Sequence, residues 1–327
     1  MMAKKILKNK VSIVKTEQGI EEAITEAMDL VDWKSCIEQH GRVVIKPNMG
    51  NLTYVPAIIT RPDVIHYVVK IIKTWANDVI VGESDGTHYE CDEAFIRTGV
   101  KDAVESAGGR IINFSHDEQV KVPVDGLRWQ EVVLPKTIVD ADSFITLPVI
   151  KTHETTLITC ALKNQFGCIA NRYRCLYHKD LHTILADINM AINPDLVITD
   201  GTYCMEGNGP IHGPVKELGI VIASDNVVAN DLVVAKIMGV DYKEVKHLYN
   251  AMTLGVGRYP AHIVGIPLDS FNNVTFKPVN LDTISKILVR VTANPLLCRT
   301  LLLSPLFPAL QKITWLYRGW KGVERRT

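Results

Sequence analysis

The sequence carries no net charge, since 36 Lys and Arg balance 36 Asp and Glu. No global field draws the chain to nucleic acid or to an acidic membrane surface, although a local basic pocket stays compatible with that balance. There is no disulfide framework either. Seven cysteines form an odd set without small-scaffold spacing, which argues for a reducing compartment and makes the cytoplasm the expected location. The opening MMAKKILKNKVSIVK is basic but lacks the uninterrupted apolar core of a secretory signal. The longest apolar region, NPLLCRTLLLSPLFPALQKITWLYRGW, is divided by Arg299, Pro305 and Pro308. Its pieces are shorter than the roughly 20 apolar residues that cross a bilayer, so no transmembrane segment is expected. No Ser, Gly or Pro run marks a linker, and no short repeat is visible.

What is present suits a globular α/β protein, with 47% hydrophobic residues over 327 positions to fill a core. VSIVKTE and RVVIKPN read as the first two strands. Between them, GIEEAITEAMDLVDWKSCIEQH repeats apolar residues every three or four positions, as an amphipathic helix does. DVIHYVVKIIKTWA predicts a helix, DVIVGES a strand, DEAFIRTGVKDAVESAG one helix and RIINFS a strand, the alternation of a parallel sheet wrapped by helices. After an irregular β segment, KVPVDGLRWQEVVLP, and a strand over 143–149, the rhythm resumes with helix LHTILADINMAI and strand DLVITDG. LGIVIASD predicts a further strand, and NVVANDLVVAKIMG and EVKHLYNAMTLGVG two more helices. The expectation is an α/β fold with an open, mostly parallel sheet flanked by helices over residues 1–280, followed by a C-terminal helical appendage over 281–327.

Reactive side chains concentrate in TLPVIKTHETTLITCALKNQFGC, residues 146–168. The apolar run before it predicts a buried strand, which places Lys151 and His153 just beyond a strand end, where open α/β sheets bind ligands. From Glu154, TTLITCALKNQFG is expected to be helical with Gly167 as its stop, so that Thr156, Cys160, Lys163 and Asn164 share a face. Other strand ends offer matching groups. Pro47 ends the second strand and leaves Lys46 and Asn48 as an anion clamp; Glu83 and Asp85 follow the third; Asp200 ends a later one. Ionisable groups at four strand ends point to one shared site. Lys151, His153, Lys163 and Asp200 are its expected acid, base and catalytic groups, with Lys46, Asn48, Glu83 and Asn164 binding substrate. The loop DGTYCMEGNGPIHGP is neither a phosphate loop ending in Gly-Lys-Ser/Thr nor a dinucleotide fingerprint. Its Gly207 and Gly209 are nevertheless expected to offer backbone N–H groups to an anion, beside Glu206 and His212, unless the loop is only a tight turn.

A second constellation is Cys168, Cys175 and His178, with His182 four residues on. The spacing could hold a soft or borderline metal, oriented by Asp187, provided the helix here begins before His178. Ordinary hydrogen-bonded histidines are the alternative, and no CxxC pair is present.

The motifs Lys46-Pro47-Asn48, Lys151-Thr152-His153, Leu162-Lys163-Asn164, Gly167-Cys168, Tyr177-His178, Asp200-Gly201 and Met205-Glu206-Gly207-Asn208-Gly209-Pro210 occur in this order. In this succession, over about residues 40–260, the chain resembles the family known as domain of unknown function 362. The resemblance implies no general reaction. Some members carry an added ferredoxin-like module with Cys-rich iron–sulfur motifs; this chain has no CxxCxxC run, so no cluster of that type is expected within it. The family is also distantly similar in layout to nickel-pincer lactate racemases, which bears on fold alone.

Three functions follow as expectations. The first is an enzyme acting on a small carboxylate- or phosphate-bearing substrate. The second is a redox or metal protein using Cys168, Cys175 and His178, its electrons supplied by a separate ferredoxin-type partner. The third is a scaffold that forms a homodimer or a surface contact through residues 281–327, anchored by Trp315, Tyr317 and Trp320.

Overall fold

The structure, a computed structural model, describes residues 9–302 and Ser304, apart from His88, Arg258 and Asp282. Trp315, Tyr317 and Trp320 lie outside the described residues. In chain order the strands are β1 Lys10–Lys15, β2 Arg42–Pro47, β3 Asp78–Glu83, β4 Arg110–Asn113, β5 Gln119–Pro123 and β6 Glu131–Pro135. They continue as β7 Ser143–Leu147, β8 Val149–His153, β9 Leu157–Thr159, β10 Leu196–Met205, β11 Val215–Ser224 and β12 His262–Gly265.

Ten strands form one sheet in the order β12-β1-β11-β10-β7-β2-β3-β4, with β8 beside β10 and β9 beside β8. Pairing is parallel for β2 with β3 and β7, β3 with β4, β10 with β7 and β8, and β1 with β12. It is antiparallel for β1 with β11, β10 with β11, and β8 with β9. β5 and β6 form a separate antiparallel hairpin.

Side-chain alternation divides the core between the two faces of this sheet. Val43, Ile45, Val79 and Val81 pack with helices Ile20–Leu30 and Pro62–Lys73. Their neighbours Val44 and Ile80 face the other way, against helix Leu181–Ala191 and the β5–β6 hairpin. On the same face as the latter, Val11, Ile13, Ile220 and Ile222 pack on helix Val227–Ile237. Strands buried on both sides read as continuous apolar runs, which is why β2 and β3 show no apolar–polar alternation.

The order of strands fixes where a ligand can approach. β2, β3 and β4 step successively to one side, whereas β7 enters on the other side of β2. The sheet thus has a topological switch between β2 and β7, and the crevice beyond their carboxyl ends is the ligand position of open α/β sheets.

Two expected helices differ. The single helix over 92–108 is two, Cys91–Arg97 and Val100–Ser106, broken where Gly99 takes φ 77°. The helix expected from Glu154 is instead a turn, strand β9, a four-residue helix Ala161–Asn164 and a 3-10 turn Gln165–Cys168. Residues 154–156 turn the chain, and Leu157, Ile158 and Thr159 pair with β8 rather than coiling, which the restricted rotamers of Ile158 and Thr159 favour. Thr156, Cys160, Lys163 and Asn164 therefore do not share one helix face. The described part of the C-terminal region holds helices Thr283–Thr292 and Pro295–Leu302, the second packed on the 3-10 segment Arg174–Asp180. No helix among the described residues is long and apolar enough to cross a membrane.

Candidate functional site

The carboxyl ends of β2, β3 and β7 are held together by a buried polar lattice. Lys46 Nζ donates to Glu83 Oε2 at 2.6 Å, and these side chains are only 1% and 2% exposed. The same ammonium reaches Pro47 O at 3.0 Å and Asn164 Oδ1 at 3.4 Å. Lys46 and Thr146 stand opposite each other across β2 and β7, and Asn164 Nδ2 donates to Lys46 O at 3.2 Å and Thr146 Oγ1 at 2.8 Å. Asn164 thus ties the short helix to both strands at the switch. Gly167 closes the lattice, because a Cβ there would stand 2.3 Å from Glu83 Oε1 and 2.7 Å from Lys46 Nζ. Lys46, Glu83 and Asn164, expected to hold substrate, are brought together but spend their polar groups on one another. A buried pair with its hydrogen bonds complete has no reason to open to an anion.

Lys151 is different in kind. It is 3% exposed, and its ammonium donates to Asn48 Oδ1 and to Ile58 O, the latter at 2.8 Å. Both acceptors are neutral, and no carboxylate among the described residues pairs with it. Burial, then repulsion from Lys163 and Lys46, brings its pKa down to about 7. Asn48 contributes through this bond, so it positions Lys151.

His153 follows two residues later on the same strand and is 5% exposed. Its Nδ1 accepts from the backbone N–H of Thr155 at 3.0 Å and of Thr156 at 3.4 Å. In the neutral ring the proton therefore sits on Nε2. Burial, then Lys163 and His178, holds His153 well below the usual imidazole range. Lys163 lies over the Phe166 ring, 5.9 Å from its centroid, and burial followed by Arg174 lowers it to about 8. Glu154 opposes that shift. Lys151 and His153, buried, and Lys163 and Arg174, half-buried, thus make a basic corner in which the two lysines are brought down to about 7 and about 8, the range acid–base chemistry needs.

The helix carrying Lys163 is fixed from behind. Asp231 accepts from Ala161 N at 2.9 Å and Leu162 N at 3.0 Å, satisfying the first donors of that helix. Burial raises its pKa to about 6. Asp231 and Asn230 could have been noticed, as polar residues in the middle of an apolar helix; Arg174, at the start of the 3-10 segment Arg174–Asp180 and two residues after Arg172, carried no such signal.

Asp200 stands apart from the basic corner. It accepts from Thr202 Oγ1, from Thr202 N at 3.0 Å and from Arg61 N at 3.2 Å. Arg61 also lies 5.7 Å from the Tyr203 ring and pairs with Asp63. Burial, tempered by Arg61 and reinforced by Asp200, pushes Tyr54 up to about 12. Asp85 is likewise occupied, taking Cys91 N at 2.8 Å and Asn113 Nδ2 at 3.0 Å.

The glycine-rich loop does not aim its donors at a ligand. Gly207 N donates to Lys277 O and Gly209 N to Gly207 O, at 2.8 and 2.9 Å. A Cβ on Gly209 would stand 2.1 Å from Thr152 O, so this glycine permits close packing on β8. Glu206 faces Lys277 and Lys216, at 3.2 and 3.9 Å, and His212 is exposed at the loop tip.

The expected metal ligands are not gathered. Cys168 is fully buried, and its thiol is pushed up to about 12 by burial, against the pull of Lys46. Cys175 lies on the 3-10 segment Arg174–Asp180 and accepts from Thr87 Oγ1 at 3.7 Å. His178 is on that segment too, ahead of helix Leu181–Ala191, with its ring 6.0 Å from Phe166. The helix begins too late for the four-residue spacing to align His178 with His182. No three His, Cys, Asp or Glu side chains among the described residues converge as a metal cage. Asp187, expected to orient a histidine, instead accepts from Leu127, Arg128 and Trp129 N, at 2.6 to 2.9 Å, and holds the turn between β5 and β6.

The chain is similar to known proteins over much of this framework. It is 29% identical over 231 residues to thylakoid-associated protein sll1697 of Synechocystis sp., covering 68% of this chain and 70% of that one. Among solved structures it is similar to the lactate racemase apoprotein from Thermoanaerobacterium thermosaccharolyticum, at 13% identity and TM-score 0.42. That match covers 67% of this chain and 54% of the racemase, so the chain spans about half the racemase's length. The family described as Domain of unknown function (DUF362) matches residues 43–236, which include β2, β3, β7, β8, Lys163 and Asp231, and the chain belongs to that family.

Proposed function

We propose that the protein is an enzyme that binds a small carboxylate- or phosphate-bearing substrate against Lys151 and Lys163, beside the β2–β7 switch. Lys163 and the Nε2 side of His153 then exchange a proton with it. The observation that carries this reading is the charge inventory of the basic corner. Lys46 has Glu83 as its counter-charge at hydrogen-bond distance, whereas Lys151 has only neutral acceptors, and Lys163 has an aromatic face with the attraction of Glu154 outweighed by burial and Arg174. A cation removed from water without a charged partner, as Lys151 is, is costly, and a bound anion supplies the missing charge. The anion would raise both lysine pKa values from about 7 and about 8, so binding takes up protons between pH 7 and 9.

Calorimetric titration with oxalate and with inorganic phosphate, each in two buffers of different ionisation enthalpy, tests this. The expected result is saturable binding with proton uptake, weakened about tenfold or more in Lys163→Met. Wild-type protein that binds neither anion, or a Lys163→Met variant with unchanged affinity for both, would refute the reading. The metal or redox alternative draws less support, since Cys168 is a buried thiol held protonated and stands apart from Cys175 and His178 in bonding.

A further inference from the structure

Helix Pro295–Leu302 buries a cysteine and leaves its leucines outside. From Ala293 to Thr300 every residue is exposed except Cys298, which is 1% exposed, whereas Leu296 and Leu297 are 73% and 51% exposed. Asn294 fixes the start of the helix, its Oδ1 accepting from Leu296 N at 3.1 Å and from Leu297 N at 3.2 Å. Cys298 N donates to Asn294 O at 2.9 Å. The register so set turns the Cys298 side chain onto the 3-10 segment Arg174–Asp180, against which the helix packs.

There it meets Cys175, and the two side chains hydrogen-bond one another. Cys175 is the one cysteine of the seven that is not buried, so solvent reaches the pair from its side. It is also seated firmly. Thr87 Oγ1 donates to its sulfur at 3.7 Å, its own thiol donates to Tyr173 O at 3.7 Å, and the neighbouring Arg174 anchors the segment on Ser84 Oγ at 3.1 Å and Asp85 O at 2.6 Å. A single buried cysteine is an ordinary small apolar residue. Two thiols in contact from distant parts of the chain, one open to solvent and one covered, are the arrangement of an attacking and a resolving thiol.

We propose that Cys175 and Cys298 form a reversible oxidation site that reacts with a small-molecule disulfide and closes into a bond clasping helix Pro295–Leu302 to the α/β body. Cys175 Sγ, as thiolate, attacks one sulfur of the reagent; the reagent's S–S bond breaks, one small thiol leaves, and a mixed disulfide stands on Cys175. Cys298 then gives up its proton and attacks Cys175 Sγ, and the second small thiol leaves. The two cysteines have lost two electrons and two protons, which the reagent has gained as two thiols. Burial, then Cys175, raises the Cys298 thiol, which assigns it the second step, where contact with the target sulfur compensates for a small thiolate fraction. The sulfurs must close to a bond length of about 2.0 Å, a shift that an eight-residue helix on the outside of the fold accommodates. In a reducing compartment such a bond is transient and follows the thiol pool. Closure ties the C-terminal helix to the segment that carries Arg174 and His178, at the edge of the basic corner.

Oxidised glutathione is the probe, added in excess and without denaturant to the reduced full chain after the reductant is removed. Acid quenching, alkylation and peptide mapping by mass spectrometry without reduction then locate every sulfur. The expected result is Cys175 linked to Cys298 within one chain, two reduced glutathione molecules released per chain, and full reversal by dithiothreitol. Cys298→Ser should release one and keep glutathione on Cys175. The proposal is overturned by a wild type that stays unreacted at both thiols, that stops with glutathione on Cys175, that links Cys175 to another cysteine, or that links Cys175 and Cys298 only between two chains. The wild-type map alone decides, so a variant that fails to fold leaves the test intact. Because the chemistry is read at two sulfurs, its outcome is separate from anion binding at Lys151 and Lys163.

Discussion

Replacing Lys151 with methionine keeps the length of the side chain and removes its charge. In the unfolded chain this lysine titrates at its ordinary 10.5, and in the fold at about 7. Between those values the unfolded state holds more protons, so stability rises with pH across that window, and the cost of the buried charge is fully present below pH 7. The cost is about 4 kcal/mol at pH 7 and falls by about 2 kcal/mol by pH 9, because the folded lysine is by then neutral. Methionine removes that pH dependence but leaves Asn48 Oδ1 and Ile58 O without their donor, at about 1–3 kcal/mol each. The two effects nearly cancel at pH 7. The slope discriminates where the intercept does not. Urea unfolding of both proteins at pH 7, 8 and 9 should show the wild type gaining about 2 kcal/mol more than Lys151→Met over the range. Parallel stability curves would mean that Lys151 is not depressed in the fold, and the charge argument for an anion at this corner would fall with it.

Glu83→Gln should cost about 3–5 kcal/mol, because it leaves Lys46 buried without a counter-charge, and the double variant Lys46→Met/Glu83→Gln should recover much of that loss in urea unfolding. A single variant as stable as the wild type would show that the pair is not closed to water. Gly209→Ala places a methyl 2.1 Å from Thr152 O, and should lower thermal stability by about 1–3 kcal/mol through the shift it forces on β8. An unchanged melting temperature would place the loop away from that strand.

Lys151 and His153, expected just beyond a strand end, lie within β8, and Asp200, expected to end a strand, lies within β10, whereas the α/β class and the order of most strands and helices were legible in the residues, because apolar runs punctuated by Pro and Gly report local burial and chain reversal. The helix expected from Glu154 was misread for the same reason. Its apolar spacing suits a helix, and the preference of Ile158 and Thr159 for an extended backbone prevailed only because β8 lies beside them to pair with. Whether a buried charge has a partner depends on distances that no spacing encodes. Lys46 and Lys151 look alike in sequence, both following two apolar strand residues, yet β3 brings Glu83 to the first and β2 brings only an amide to the second. Composition and pattern determined that lysines would stand at the edge of a parallel sheet. The lateral order of strands, with β7 inserted beside β2, decided which of them is neutralised and which is left with neutral acceptors, since Coulomb and desolvation energies follow position in space and not position along the chain.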